Sequence, residues 1–326
     1  MKAAIFKAYG FNNPIEIQQT EAPSPTEHQI RIKVKATPVT AVDAIFRSGS
    51  NLFARMTTGL RTPKIKTLGT ELSGVVEAVG EKVSGFKVGD EVIADSGTHY
   101  GAHAEYVVVS GQDPIVHKPE HLSFQEAAAV SYGALTALPF LRDHGKIKRD
   151  HNVLVIGASG GVGTYAVQLA HYFGAEVTGV CSSNHASLVT SLGAHHIIDY
   201  RETPLSGLRG QFDIIFDTVG KYSFGKTKHL LKPEGRYLTT VLNLRSVFDM
   251  LRKSPGRQKS ILAFTGLRNN KDKTEDLRYI AGLFSNRQLK AVIDREYGLD
   301  EISEAYDYVA GGHKAGSVVI NMNAAA

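Results

Sequence analysis

The chain has 326 residues, 42% of them hydrophobic and 21% charged, a size and balance that suit a globular protein of two domains or of one domain with a large insertion. Its 37 basic and 32 acidic residues leave a net charge of +5, too small an excess to imply a polyanionic partner. A single cysteine, Cys181, excludes an internal disulfide and a thiolate-rich zinc site, and no apolar run reaches the ~18 residues of a membrane span.

The opening MKAAIFKAYG has no apolar core of signal-peptide length, so the expectation is a cytoplasmic protein with no membrane partner. Residues 29–36 (QIRIKVKA) alternate polar and apolar, the period of a half-buried strand. The runs 72–80, 86–94 and 103–109 are also β-rich and cut by Gly and Asp. The first 125 residues thus predict a barrel-like β module of strands and turns. At Ser123 the pattern turns helical, and Glu126 three residues later completes the spacing of a capping box. Strands are then predicted at 152–156, 175–180, 195–199, 212–217 and 235–241, with helices at 161–173, 184–193 and 222–231. That alternation implies an α/β domain, a doubly wound parallel sheet with helices on both faces. Residues 245–273 carry eight Lys or Arg against two Asp and read as a solvated helix and loop rather than a nucleic-acid patch. The tail predicts a helix in TEDLRYIAGLFSNRQL, a second in DEISEAYDYVAG, and a closing strand GSVVINM that returns to the N-terminal module. The expected organisation is a catalytic domain of residues 1–125 and 275–326 around a cofactor domain of 126–274.

In VLVIGASGGVGTYAVQLA (153–170) an apolar run stops at Gly157 and a helical pattern starts near Gly161, a strand–turn–helix context for holding a dinucleotide. The candidate pyrophosphate turn is Gly157-Ala158-Ser159-Gly160-Gly161-Val162, with Ala158 where the first glycine of the usual motif stands. Gly160 leaves the backbone open to a phosphate, Gly163 lets the helix pack on the strand, and the free N–H groups of the first helical turn face the anion. NAD sites place an Asp or Glu about 20 residues further on to hold the ribose hydroxyls. Here the strand EVTGV runs into Cys181-Ser182-Ser183-Asn184-His185, which contains no acid. Hydroxyls and an amide donate to a 2′-phosphate that a carboxylate would repel, so NADP(H) is the expected cofactor.

The chain also resembles the medium-chain dehydrogenase/reductase superfamily, within it the zinc-free quinone oxidoreductase branch. The resemblance runs through VTAVDAIFRSG (39–49), LGTELSGVVEAVG (68–80), VGDEV (88–92), AEYVVV (104–109), SYGALTA (131–137), GASGGVG, LGAHHIIDY (192–200), FDTVG (216–220) and GSVVI. It implies a GroES-like catalytic domain and a Rossmann cofactor domain. In the zinc alcohol dehydrogenases of that superfamily a Cys, a Gly-His-Glu triplet and a second Cys or Asp hold the metal. Here Thr40 falls at or next to the first position and Gly69-Thr70-Glu71 replaces the triplet, so no zinc is expected; Asp43 and Glu71 read as structural. The resemblance further places Ser182, Ser183, Asn184 and Tyr200 near the 2′-phosphate, and Thr136, Thr218, Val219, Val241 and Thr40 at the nicotinamide end, with the cofactor between the two domains. Relatives often carry a basic residue near 184–185, which Asn184-His185 lacks.

Two other patterns mimic known chemistry. Tyr222 and Lys226 have the Tyr-x-x-x-Lys spacing of short-chain dehydrogenases, but Tyr222 follows Gly161 by only 61 residues, where those enzymes need well over a hundred. The pairs His99/His103 and His117/His121 fall in strand and loop context, where a spacing of four does not converge, and Cys181 reads as a small apolar filler. The expected activity is metal-free hydride transfer from NADPH to a quinone or an α,β-unsaturated carbonyl, whose conjugation spreads the charge that zinc would otherwise stabilise. Thr40 is the candidate hydrogen-bond donor to the substrate, and the resemblance implies a homodimer, as relatives are commonly dimers that often join sheet edges. The alternatives are a zinc-free enoyl reductase and a non-catalytic NADPH-binding sensor or nucleic-acid binder.

Overall fold

The computed structural model describes residues 1–241, 258–263 and 268–324. They divide into two units: Met1–Tyr132 with Asn269–Asn286 and Ala291–Ala326, and Gly133–Arg268 with Arg287–Lys290.

The first unit starts with β1 (Lys2–Ile5) and β2 (Glu16–Gln19), an antiparallel pair. β3 (Gln29–Val39) follows the alternation of its sequence, burying Ile30, Ile32, Val34 and Ala36. Strands and turns do not fill the rest of the N-terminal segment as expected, because α1 (Ala41–Ser48) and α2 (Leu52–Thr58) interrupt them. The cause is local. The Thr40 hydroxyl accepts from the Asp43 N–H (3.2 Å) while the Asp43 carboxylate accepts from the Thr40 N–H (2.8 Å), a reciprocal cap, and left-handed Gly49 closes the helix. Asn51 caps α2 through the Ala54 N–H (2.7 Å). β4 (Glu71–Val79), β5 (Glu91–Asp95), β6 (Tyr106–Ser110) and β7 (Ile115–His117) come next. The strand expected over 86–94 begins only at Glu91, because the Asp90 carboxylate accepts from the Lys87 N–H (2.9 Å) in a turn. That over 103–109 begins at Tyr106, because the Ala102 and His103 N–H groups go to Gly69 and Leu68 (3.1 Å each). α3 (Phe124–Pro139) opens with the expected box: Ser123 N–H to Glu126 (2.8 Å), Glu126 N–H to Ser123 (3.1 Å).

The second unit alternates β8 (Asn152–Ile156), α4 (Gly163–Tyr172), β9 (Glu176–Cys181), α5 (Ala186–Ser191), β10 (His196–Asp199), β11 (Phe212–Asp217), α6 (Phe224–Thr227), β12 (Leu231–Thr239) and β13 (Lys259–Leu262). The sheet is parallel throughout, in the order β10-β9-β8-β11-β12-β13. β8 is apolar on both sides, with Val153, Leu154 and Val155 wholly buried, as a strand covered on two faces requires. The helix expected over 222–231 shrinks to α6 and one 3-10 turn, because β12 starts early, with Leu231 beside Phe212. The Gln258 amide holds that bend by donating to the carbonyls of Lys228, Leu231 and Lys232 (3.2, 3.0 and 3.1 Å).

The chain returns to the first unit through α7 (Asn270–Ser285), β14 (Ile293–Gly298), α8 (Ile302–Gly311) and β15 (Ser317–Asn321). β15 pairs antiparallel with β3, Val318 opposite Val39, so the closing strand does return to the N-terminal module. The sheet there runs β14-β15-β3-β4-β5-β7, with β6 also on β3. The basic stretch 245–273, expected as helix and loop, instead supplies β13 at 259–262, drawn into the sheet by pairing with β12; residues 245–257 and 264–267 lie outside the described residues, while Lys273 pairs with Asp95 (3.1 Å) and Arg268 with Asp143 (3.6 Å). Among the described residues no helix is long and apolar enough to cross a membrane.

Candidate functional site

The second unit gathers the residues expected to bind the cofactor. β8 ends at Ile156, and Gly157 turns the chain with a left-handed backbone (φ 79°). The N–H groups of Gly157 and Ala158 both donate to the Val180 carbonyl (3.0 Å each), which ties the turn to the end of β9. A Cβ at Gly163 would stand 2.0 Å from the Gly157 carbonyl oxygen, so α4 closes on the turn only because that residue is glycine. At Gly160 a Cβ would meet nothing nearer than 3.4 Å, so this stretch of backbone faces open space. The departure at Ala158 is accommodated from β9: its buried methyl would lie 3.1 Å from a Cβ on Gly179. Val162 at the N-cap makes no side-chain cap, which leaves first-turn N–H groups and the positive end of the helix dipole for an anion.

The loop after β11 lies on the same turn. The Thr218 hydroxyl donates to the Ile156 carbonyl (2.9 Å), and the Val219 methyl stands 2.3 Å from where a Gly157 Cβ would be. Asp217, not singled out in the sequence, shapes that loop: its buried carboxylate accepts from the N–H groups of Val219 (3.0 Å), Gly220 (2.8 Å) and Tyr222 (3.2 Å) and from the Tyr237 hydroxyl (2.9 Å). The signal was available, since an Asp leading a turn commonly accepts from the N–H two residues on. Val241 packs against Gly220, and its N–H donates to Thr239 (3.2 Å). Thr136 is buried on α3, one turn past Gly133, whose missing Cβ would stand 2.2 Å from the Gly161 carbonyl oxygen.

At the far end of the turn, Ser182 is buried and Ser183 and Asn184 are exposed. The acid-free stretch is not an acid-free place. β10 brings Asp199 alongside, where its carboxylate accepts from the N–H groups of Ser183 (2.7 Å) and Arg201 (2.8 Å). The Arg201 N–H bond is the first cause holding its carboxyl below the usual carboxylate range. Tyr200 donates its N–H to the Cys181 carbonyl (3.4 Å), which sets its ring at the ends of β9 and β10. Burial pushes the Cys181 thiol up to about 11, so it stays protonated and serves as packing.

The first unit holds Thr40 and a buried acidic cluster. The Thr40 hydroxyl donates its hydrogen to Asp43 (2.6 Å), so the donor expected to face a substrate is committed to a helix cap. Glu71 lies directly opposite Asp95 across β4 and β5, an unfavourable like-charge pairing that Lys273 relieves at Asp95. Burial first, then Asp95 and Asp43, push the Glu71 carboxyl up to about 8, against the Thr70 hydroxyl donating to it (2.8 Å). His103 is buried and neutral, its Nε2–H on the Pro38 carbonyl (3.1 Å) and its Nδ1 accepting from the Tyr306 hydroxyl (3.0 Å). Among the described residues no group of three or more His, Cys, Asp or Glu side chains is arranged to hold a metal ion.

Residues 26–120 match the family described as alcohol dehydrogenase GroES-like domain, and residues 192–320 the family described as zinc-binding dehydrogenase. A human quinone oxidoreductase is 33% identical over 307 residues, spanning 90% of this chain and 88% of its own length. A mouse mitochondrial NAD(P)H oxidoreductase is 32% identical over 359 residues, spanning 99% of this chain and 89% of its own. Among solved structures, the quinone oxidoreductase of Coxiella burnetii superposes with a TM-score of 0.89 at 28% identity over 99% of both chains.

Proposed function

The chain belongs to the medium-chain dehydrogenase/reductase superfamily, in its quinone oxidoreductase branch, and from that premise we propose that it reduces a quinone or an α,β-unsaturated carbonyl with NADPH and without a metal ion. The observation that carries the proposal is the Gly157–Val162 turn, open at Gly160 and backed by an uncapped helix start, with hydroxyl and amide donors rather than a β9 carboxylate at its far end. NADPH, when bound, supplies the hydride. The residues of the chain hold and orient it: backbone N–H groups of the turn meet the pyrophosphate, Ser182, Ser183, Asn184 and Tyr200 the 2′-phosphate, and Thr136, Thr218, Val219 and Val241 the nicotinamide end.

Zinc alcohol dehydrogenases polarise a carbonyl with the metal; Thr40 and Thr70 stand in its place, and their hydroxyls already donate to Asp43 and Glu71. A simple ketone is therefore a poor substrate, and a conjugated acceptor that delocalises the incoming charge is a good one, with solvent as the proton source.

The test is purified protein with NADPH and a panel of quinones, enones and simple ketones, followed at the nicotinamide absorbance band. Turnover of the conjugated acceptors, little of the ketones, and a several-fold preference over NADH are expected. Tight NADPH binding without turnover on any acceptor would sink the enzyme proposal in favour of a sensor, and stoichiometric zinc on metal analysis would overturn the metal-free chemistry.

A further inference from the structure

We propose that Arg201 and Lys221, both held near the Tyr200 ring, form the charged part of the 2′-phosphate site. The inference rests on the NADPH proposal and adds to it the residues that discriminate NADPH from NADH.

Ser182, Ser183 and Asn184 offer only neutral donors, and Asp199 adds a negative charge beside them. By themselves these groups are a poor place for a phosphate carrying nearly two charges. The compensating cations come from elsewhere in the chain. The Arg201 guanidinium lies 5.7 Å and the Lys221 ammonium 6.0 Å from the centroid of the Tyr200 ring. The ring is 42% exposed and fixed at the strand ends through its own N–H on Cys181. Neither cation is within ion-pair distance of a carboxylate among the described residues, although the Arg201 charge is near enough to favour the ionised Asp199. Contact with a solvated ring at that distance is weak, so both side chains remain free to turn onto an anion.

The two cations differ in how they are held. Arg201 follows Tyr200 directly, and its backbone N–H on Asp199 fixes where its side chain starts. Lys221 stands on the loop that Asp217 organises through three N–H groups, two residues past Val219, which packs on the phosphate turn at Gly157. A phosphate at the rim of Tyr200 would therefore meet one cation from the β10 side and one from the β11 side. The strand order β10-β9-β8-β11 makes that a clamp across the cofactor end of the sheet. The hydroxyl and amide donors at 182–184 then satisfy the remaining phosphate oxygens.

The test uses the full chain, Lys221→Ala, Arg201→Ala and the double variant. NADPH and NADH are titrated by nicotinamide fluorescence, and adenosine 2′,5′-bisphosphate and 5′-AMP by calorimetry. Loss of one charge-assisted contact weakens NADPH and the bisphosphate about tenfold, and both together about a hundredfold. NADH and 5′-AMP should change less than about twofold, and Lys221→Arg and Arg201→Lys should restore most of the loss. Equal weakening of both members of each pair, or no weakening while the parent chain still prefers the bisphosphate, overturns the clamp. A parent chain that binds 5′-AMP as tightly as the bisphosphate, and NADH as tightly as NADPH, overturns the NADPH proposal instead, and shows it without any variant.

Discussion

Glu71 holds its proton far above the ordinary carboxylate range because it sits in low dielectric opposite one acid and near another. The folded chain keeps a proton that the unfolded chain releases near pH 4.5, so the contribution of Glu71 to stability is fully present below that value and is lost as pH rises toward about 8. At ~1.4 kcal/mol per unit of displacement the loss is on the order of a few kcal/mol. Glu71→Gln keeps the shape without the charge, so its urea midpoint should fall less than the parent's between pH 5 and pH 8; parallel declines would refute the assignment. Asp217 is also pushed up by burial, but four donors converge on its carboxylate and oppose that push. Asp217→Ala leaves those donors unpaired, each at roughly 1–3 kcal/mol, and frees the loop that carries Thr218 and Val219. A lower melting temperature and more than about tenfold weaker NADPH binding are expected, the latter tracked by nicotinamide fluorescence. The family resemblance singles out the adjacent Thr218 and Val219, whereas the role of Asp217 in the loop needed the turn chemistry of the residues that follow it.

Among the elements, the parallel strands were read to within a residue or so, because a continuous apolar run between turn residues has few other uses. β12 and β13 were the exceptions: β12 starts four residues before its expected position of 235, and β13 lies in a stretch expected to be helix and loop. Helices α1 and α2 escaped notice because each is only two turns long and its cap, Thr40 with Asp43 or Asn51 alone, departs from the Ser/Thr with Glu/Gln spacing that marks a longer helix. The cations over Tyr200 escaped for a different reason: Arg201 and Lys221 lie on separate strand ends, and no local pattern links them. The turn between β8 and α4 separates two effects that sequence alone merges. Gly163→Ala drives a methyl to 2.0 Å from the Gly157 carbonyl oxygen, so the helix must move, and both the melting temperature and NADPH affinity should drop. Gly160→Ala meets nothing closer than 3.4 Å, so it should leave the melting temperature within a degree or two of the parent's and still block the cofactor. Equal losses of stability in the two variants would show that Gly160 serves folding rather than binding.

For the molecule as a whole, the parallel sheet decides where a ligand goes and where a second copy can join. β8 has β9 on one side and β11 on the other, and the chain departs from it in both directions, so a crevice opens at the strand ends where the Gly157 turn lies. The sheet ends at β13, which pairs with β12 through Tyr237 beside Ser260 and Leu238 beside Ile261, and with no other described strand. Among the described residues that outer edge has no partner strand, and such an edge is a template for another strand; we propose that a second copy occupies it in a homodimer. Along a strand, successive N–H groups point to opposite sides, so of Ser260 and Ile261 one donates toward β12 and the other outward. Proline at the outward position removes only an intermolecular hydrogen bond and should convert a particle of two chains to one of a single chain by light scattering, with the melting temperature of the separated chain close to that of a diluted parent. Proline at the inward position breaks the β12 ladder and should lower stability directly. A parent chain that scatters as a single copy, or a dimer that survives both prolines, would rule out this edge as the interface.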